Sequence, residues 1–453
     1  MEENTRENKM GTMPIGKLLA NMAGPVMISM LFQALYNIVD SVFVARLSQD
    51  AMNAVSLAFP LQTLCIAFAV GTGVGMNALL ARSLGEKNMQ AVDRAAGTGL
   101  FLTLCTAAVF AVLGFSLATP FFRFQTENAQ IIAYGSDYVM ICIGGSLGLF
   151  LQIYGERLLQ STGRTDLSMI SQIAGAVCNI VLDPIFIFGL NMGVRGAALA
   201  TVISQGVSCA WVVSFLMGKK TSLRLKAQNM RIDMKLLAPC IALGLSAFIM
   251  QSTESIISVC FNSSLLKYGG DIAVGAMTIL TSVMQFAMLP LQGLAQGAQP
   301  ISSYNFGARN AARVRQTFFA LLKASLTYSV ILWGGIMLFP KAFAGIFTPD
   351  AELLAFTAKA LRIYCGALFI FGIQIACQMT FVSIGNAPCS IIVAILRKFV
   401  LLIPLIFILP HILPDRTMAV YTAEPVADTL AVIFTMVMFG TQFRKALKKL
   451  EEA

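Results

Sequence analysis

Long apolar runs separated by short polar, charged or Gly/Pro breaks form the main pattern along this chain. Each run has roughly the 20 residues that a helix needs to cross a bilayer. We therefore predict an all-α polytopic membrane protein of the cell membrane. Twelve transmembrane helices are predicted, at residues 17–45, 53–81, 95–119, 134–160, 168–190, 193–217, 236–265, 272–301, 317–339, 358–384, 388–411 and 418–440.

Basic residues between the predicted helices fall mainly on one side of the membrane. If the N-terminus is cytoplasmic, the inner segments collect most of the arginines and lysines, including those of the most basic stretch, 218–235. Because such residues concentrate in cytoplasmic loops, both termini are predicted to be cytoplasmic. The same rule accounts for the net charge of +10, so we expect a lipid bilayer and no nucleic acid as partner.

An internal repeat divides the chain into two halves. Matching residues share one offset of 222 positions, among them Gly85 with Gly307 and Gln152 with Gln374. Each half holds an even number of predicted helices, so the copies form a parallel pseudo-two-fold repeat. We predict two six-helix bundles across a central cleft, as in alternating-access transporters. The predicted domains are an N-terminal lobe (1–217), a cytoplasmic linker (218–235) and a C-terminal lobe (236–453).

Two carboxylates lie inside predicted helices of the first half. At about 1.5 Å per residue, Asp40 is roughly 8 Å from the outer end of its helix, Asp183 roughly 10 Å and Thr201 roughly 12 Å. Asn179 lies four residues before Asp183 and shares its helix face. Acids in a membrane interior are costly and commonly functional. These four residues are predicted to bind a coupling ion, H⁺ or Na⁺, although a structural hydrogen-bond cluster remains the alternative.

Other polar residues inside the predicted helices are candidates for a substrate cavity or an ion pair. Tyr36 shares a helix face with Asp40, and Glu254 has roughly the place in the second half that Asp40 has in the first. Arg397 and Asp428 have similar predicted depths, so we expect a buried ion pair that acts as a gate or a staple. By contrast, we expect an interfacial pair near the inner end of the fourth helix, formed by Glu156 and Arg157.

Enzymatic chemistry has little support in the sequence. The only histidine is His411, in a predicted outer loop, and the chain has no Walker loop, HExxH or GxSxG motif. The ten cysteines lack metal-ligand spacing. We expect a non-enzymatic protein without a metal or other cofactor, so transport would have to use an ion gradient.

The chain resembles the MATE family of multidrug and toxic compound extrusion transporters, in particular its DinF-like and MepA-like branches. The likeness rests on GPxxxxxLxQxLYNIVDSVFV around residues 25–44, GTGVG at 71–75, LGEKN at 84–88, NIVLDPIFIFG at 179–189 and GAALAT ending at Thr201. It covers nearly the whole chain, from Ile15 to Gly440.

This resemblance implies roles for particular residues. Pro25 is similar to a proline at which the first helix bends as protonation changes, and Tyr36 to a cavity-facing tyrosine. Glu254 resembles an acid that some members use in the second half to bind a cation. Where those members have an aspartate on the tenth helix, this chain has Gln374 and Gln378. That difference favours coupling in the first half and leaves the two glutamines as cavity residues.

The resulting functional hypothesis is a monomeric, ion-driven antiporter. It would export amphipathic or cationic drugs and toxins and so confer antibiotic resistance. The first alternative is a flippase for a lipid-linked saccharide or another amphiphile, which would be expected to line its cleft with arginines for a pyrophosphate. A membrane enzyme would need a convergent nucleophile and base. A channel is the remaining alternative.

Overall fold

A computed structural model describes residues 8–218, 223, 230 and 233–452. Nearly all of the predicted linker at 218–235 lies outside these residues. The described part of the chain is α-helical with short π-helical segments and contains no strand. The fold is therefore all-α, as the apolar pattern predicts.

Sixteen α-helices follow one another along the described residues. They are α1 Lys9–Thr12, α2 Ile15–Ala45, α3 Gln49–Gly85, α4 Met89–Gln125, α5 Ala129–Gly144, α6 Leu147–Ser161, α7 Thr165–Pro184, α8 Gly193–Leu216, α9 Met234–Gly307, α10 Ala311–Leu338, α11 Pro340–Gly345, α12 Ala351–Tyr364, α13 Leu368–Ser383, α14 Ala387–Ile395, α15 Ile403–Ile412 and α16 Arg416–Glu451. Two π-helical segments continue α7 and α14, at Ile185–Gly189 and Leu396–Leu402.

The number of membrane crossings follows from helix length and from bends. Nine helical stretches in the described residues are long and apolar enough to cross a bilayer, and two bent pairs, α5 with α6 and α12 with α13, add one crossing each. Helix α9 has 74 residues and a break at Gly270, where φ is 68°. A straight helix of that length would span about 110 Å, far more than a bilayer, so α9 makes two crossings. The described residues thus contain the twelve predicted crossings.

Several helices extend beyond their apolar segments because polar side chains cap them. Helix α4 begins at Met89, six residues before the predicted start at 95. Asn88 accepts a hydrogen bond from the backbone N–H of Ala91 at 3.0 Å. Asn310, its equivalent in the repeat, accepts one from the N–H of Arg313, also at 3.0 Å. Such caps satisfy amides that the first helical turn leaves unpaired.

The described chain forms two compact units. Unit 1 contains residues 24–251 with the N-terminal segment up to Thr12, and unit 2 contains Met13–Ala23 and the chain from Ser252 onwards. The divisions therefore fall inside α2, beside Pro25, and inside α9. The lobes predicted from sequence divide the chain instead at the linker.

Each unit has its own apolar core. One core of unit 1 is built from buried residues of α2 to α6, of α8 and of the π-helical segment Ile185–Gly189, among them Phe122 and Phe150. Unit 2 packs around Phe261, Leu280 and Tyr421. In unit 1, α3 approaches the beginning of α9 so closely that a Cβ at Gly75 would overlap the carbonyl oxygen of Cys240. Small residues allow this kind of approach between helices in a membrane.

Candidate functional site

Helices α2, α7 and α8 bring four polar side chains of unit 1 together. Asp183 is fully buried and Asn179 is 1% exposed, whereas Asp40 and Thr201 are half-buried. Pro184 directly follows Asp183, and the π-helical segment Ile185–Gly189 begins there. Such segments commonly occur at functional sites because they alter the direction in which side chains project.

Hydrogen bonds connect the members of this polar cluster. The Asn179 amide nitrogen lies 3.4 Å from Asp183 Oδ1 and 3.4 Å from Thr201 Oγ1. Thr201 Oγ1 donates to the carbonyl of Ala197 at 3.1 Å. The carboxyl groups of Asp40 and Asp183 lie beside each other. The structure therefore joins all four residues that the sequence assigned to ion coupling.

The two carboxyl groups of this cluster lack a cationic partner. Neither forms an ion pair within the described residues. Asp40 Oδ1, Asp183 Oδ2 and Asn179 Oδ1 are buried without a hydrogen-bond donor. Two carboxylates cannot hydrogen bond to each other unless one carries a proton. The arrangement is suited to holding a proton, or a small cation among its oxygen atoms.

Tyr36 lies close to this polar cluster, but Pro25 does not. The Tyr36 side chain lies near Gln33, Asp40 and Asp183. Pro25 is half-buried in α2, fifteen residues before Asp40, which corresponds to roughly 22 Å along a helix. It lies next to the division between the two units.

A second polar cluster lies in unit 2, where α16 meets the π-helical segment Leu396–Leu402. Arg397 Nε donates to Asp428 Oδ1 at 2.6 Å, and Arg397 Nη2 donates to Glu424 Oε1 at 3.0 Å. Lys398 Nζ donates to Glu254 Oε1 at 2.7 Å. The Arg397 guanidinium also lies 4.6 Å from the centre of the Phe371 ring. The expected neighbours Arg397 and Asp428 are thus in contact.

Sequence reasoning assigned no partners to Lys398 and Glu424, although both are charged residues inside apolar segments. Their position inside the membrane indicated that they need partners. Those partners come from other helical segments, α9 for Lys398 and Leu396–Leu402 for Glu424, which the sequence did not identify. Of the predicted cavity glutamines, Gln378 donates to Ser390 O and Oγ, both at 3.0 Å. Gln374 is 5% exposed, and its Oε1 has no hydrogen-bond donor.

Glu156 and Arg157 are buried, and the expected interfacial ion pair is therefore wrong. They are 4% and 7% exposed. The Glu156 carboxylate accepts hydrogen bonds from Gln152 at 3.1 Å, Ser171 at 3.2 Å and Gln172 at 2.7 Å. Neutral donors from α6 and α7 thus surround this acid, and they satisfy its oxygens without exposing them to the interface.

A family model decides which proteins this chain is related to. The MatE model matches residues 25–185 and 246–408, which is most of the chain and includes α2 from Pro25 onwards, α7 and the π-helical segment of unit 2. The chain belongs to the MatE family. MatE proteins are transporters, so the family predicted from the sequence motifs is confirmed.

Individual relatives agree with this MatE assignment. The chain is 24% identical over 396 residues to the multidrug export protein MepA of Staphylococcus haemolyticus, covering 87% of each protein. It is 25% identical over 426 residues to an FAD transporter of Shewanella oneidensis, covering 92% of each. A crystal structure of a MATE protein in complex with MaL6 has a TM-score of 0.92 and 25% identity, over 98% of this chain and all of that one. The twelve-helix MATE fold accounts for the bends and breaks described above.

Proposed function

We propose that this MatE protein is a secondary antiporter that exports small amphipathic or cationic organic compounds in exchange for an inward ion. The observation that carries the proposal is the pair of acids Asp40 and Asp183. Both lie within membrane-spanning helices, and their carboxyl groups are in contact without a cationic partner in the described residues. A purely structural cluster would gain nothing from two adjacent acids, because like charges repel.

The coupling follows from linkage between conformation and ion binding. A proton or cation bound to the Asp40–Asp183 pair stabilises the conformation in which the pair has its higher affinity for that ion. The ion gradient can drive export only if ion binding and substrate binding favour different conformations. The substrates we propose are cationic because an unoccupied acidic pair attracts positive charge in a low-dielectric environment.

The contact between the two carboxyl groups favours H⁺ as the coupling ion. Two neighbouring carboxyl groups repel each other when both are ionised, and a proton on one of them removes the repulsion and can be shared between them. Sodium would instead require the side-chain oxygens of all four residues of the cluster to converge on one point. The Asn179 side chain directs its amide nitrogen, and not its oxygen, towards Asp183 Oδ1 and Thr201 Oγ1. We therefore propose proton coupling first and sodium coupling second.

Relatives support a multidrug substrate range and also point to an alternative. MepA is named a multidrug export protein, which agrees with the proposal. The relative named FAD transporter suggests a dinucleotide as a second candidate substrate. Arg397 and Lys398 are cations that a phosphate would need, but three carboxylates already hold them. A flippase for a lipid-linked saccharide would need free cations too. We further propose that the protein functions as a monomer in the plasma membrane with both termini cytoplasmic.

Transport into inverted membrane vesicles tests the proposal. A fluorescent cationic dye is offered under an imposed proton gradient and, separately, under a sodium gradient. The variants are Asp40→Asn, which keeps the shape of the side chain, and Asp137→Asn as the matched control. Asp137 is an acid of the same unit whose partner is an exposed arginine, Arg195, at 2.7 Å.

Wild type and Asp137→Asn should accumulate dye under the proton gradient, and Asp40→Asn should not. Accumulation under the sodium gradient alone would mean that the coupling ion is Na⁺ and not H⁺. If Asp40→Asn, inserted at wild-type level, accumulates dye as fast as wild type, the acidic pair is structural. If FAD or a lipid-linked saccharide is carried and the dye is not, the corresponding alternative replaces multidrug export.

A further inference from the structure

Two buried carboxylates in unit 2, from Glu424 and Asp428, share the single cation Arg397. The side chains of these three residues are 10–11% exposed. The neighbouring cation Lys398 is already paired with Glu254, whose side chain is 57% exposed. With all three groups ionised, Arg397, Glu424 and Asp428 have a net charge of −1. Burying an uncompensated charge is so unfavourable that the group normally becomes neutral instead.

In the part of the chain that the structure describes, no further cation acts on Glu424. The charged groups that act on it are Asp428, Arg397, Lys398 and Glu254. The other titratable neighbours of the cluster, Tyr364 and Cys365, are neutral in their ordinary protonation states. The neutralising group must therefore be a ligand of the cluster or a proton.

The geometry identifies Glu424 as the acid that is neutralised. Asp428 has the shorter bond to Arg397, 2.6 Å against 3.0 Å for Glu424. Glu254 is bound to Lys398, and its side chain is 57% exposed. Glu424 is 8% exposed, and its Oε2 is buried with no hydrogen-bond donor. An unpartnered anionic oxygen costs much more there than an unpartnered neutral hydroxyl.

The local backbone concentrates the charges at this place. Arg397 and Lys398 are consecutive, yet they bind acids on two different helices, α16 and α9. They lie on the π-helical segment Leu396–Leu402, whose wider turn changes side-chain directions relative to an α-helix. Glu424 and Asp428 are one turn apart on α16, so one guanidinium reaches both.

We propose that Glu424 is a proton-binding site in unit 2, separate from the Asp40–Asp183 pair. A proton fits better than a metal ion because both α16 carboxylates already accept bonds from Arg397. No group of three His, Cys, Asp or Glu side chains in the described residues is placed to hold a metal. Loss of the proton would leave two carboxylates competing for Arg397, so the protein would have a second group whose protonation alters contacts between helices. Proton binding by Glu424 does not depend on the proposed antiport; only a role of this proton in transport rests on the proposed function.

Infrared spectroscopy of the purified full-length protein tests proton binding without requiring transport. The parent variant is Asp40→Asn/Glu156→Gln/Asp183→Asn, which removes the acidic pair of unit 1 and the buried Glu156, whose partners are neutral. We expect this parent to show a carboxylic-acid C=O band at neutral pH that shifts in heavy water. Adding Glu424→Gln should abolish the band between about pH 5.5 and 8, where exposed acids stay ionised. Adding Glu352→Gln, the matched control at an exposed acid in the first turn of α12, should leave it unchanged.

A second variant distinguishes the two α16 acids. Asp428→Asn removes the surplus charge, so Glu424 should become ionised at neutral pH. Its band should then return only at a pH lower by about one unit or more. If Asp428→Asn abolishes the band throughout that pH range and Glu424→Gln only moves it, the proton belongs to Asp428 and the assignment is wrong. Absence of any such band from the folded parent would also overturn it. If the parent has the band while the wild-type protein fails to transport the dye, only the antiporter proposal is contradicted.

Discussion

Replacing Arg397 by methionine should strongly destabilise unit 2. The substitution removes both hydrogen bonds that the guanidinium donates, at 2.6 and 3.0 Å, and leaves the Asp428 carboxylate without its cation beside Glu424; both side chains are 10–11% exposed. Breaking a buried pair by removing one partner costs ~3–5 kcal/mol, because the remaining charge is uncompensated. We expect a loss of this size in the free energy of unfolding, measured by titrating the protein with SDS in mixed micelles and following far-UV circular dichroism.

Neutralising the acids as well should recover much of this loss. In the triple variant Arg397→Met/Glu424→Gln/Asp428→Asn, the two acids are replaced by neutral amides. Each amide that is buried without a hydrogen-bond partner costs about 1–3 kcal/mol. Lys398 and Glu254 stay paired in this variant. Acidic pH should also reduce the loss in Arg397→Met, since protonated carboxyl groups need no cation.

An exposed ion pair of nearly the same length provides the control. Arg195 lies 2.7 Å from Asp137, but its side chain is 65% exposed. Arg195→Met should therefore change the unfolding free energy far less than Arg397→Met, because water screens the pair and solvates the remaining acid. If the two single variants unfold at the same SDS fraction, or the triple variant is as unstable as Arg397→Met, burial of the pair does not control its energy.

Two further predictions concern packing and capping, and thermal melts of the detergent-purified protein test both. Gly75→Leu should destabilise unit 1 by about 1–3 kcal/mol or more, because its Cβ would overlap the carbonyl of Cys240. Gly206→Ala is the control, because no atom lies within 4 Å of the Cβ that it adds to α8. It should be neutral or stabilising by about 0.5–1 kcal/mol. If both glycine variants change the melting temperature equally, α3 and α9 are not in close contact at Gly75. Asn88→Ala should cost about 1 kcal/mol by removing the cap on Ala91 N–H, and Asn88→Ser should restore most of it. If the two Asn88 variants have the same melting temperature, the cap does not contribute to stability.

Much of the fold follows from the order of residues. Runs of apolar side chains indicate the crossings, and Asn88 and Asn310 mark helix starts at equivalent places in the two halves. The repeat does not extend to the chemistry, however. At the offset of 222 residues, Asp183 corresponds to Leu405 and Glu424 to Val202. Each unit therefore has its own polar cluster on a shared backbone plan.

The partners of the polar residues were harder to predict. The sequence indicated that Asp40, Asp183 and Thr201 lie at one depth, and the structure places Asp40 and Thr201 beside the Asn179–Asp183 helix face. Depth alone gave the wrong environment for Glu156, which neutral donors from α7 surround. Depth is a property of one helix, whereas partners depend on how that helix is rotated against its neighbours.

By itself, the sequence determined the number of crossings, the family and the acids that lie inside the membrane. Each of these depends on local apolar runs, on motifs or on the cost of placing one charge in a hydrocarbon interior. Only the tertiary structure decided that Arg397 is shared by two acids, that Lys398 belongs to Glu254 and that Asp40 and Asp183 have no cation in the described residues. The physical reason is that lipid and protein core are both apolar. A membrane helix therefore carries no strong apolar stripe that would reveal which face turns inward and which residues meet.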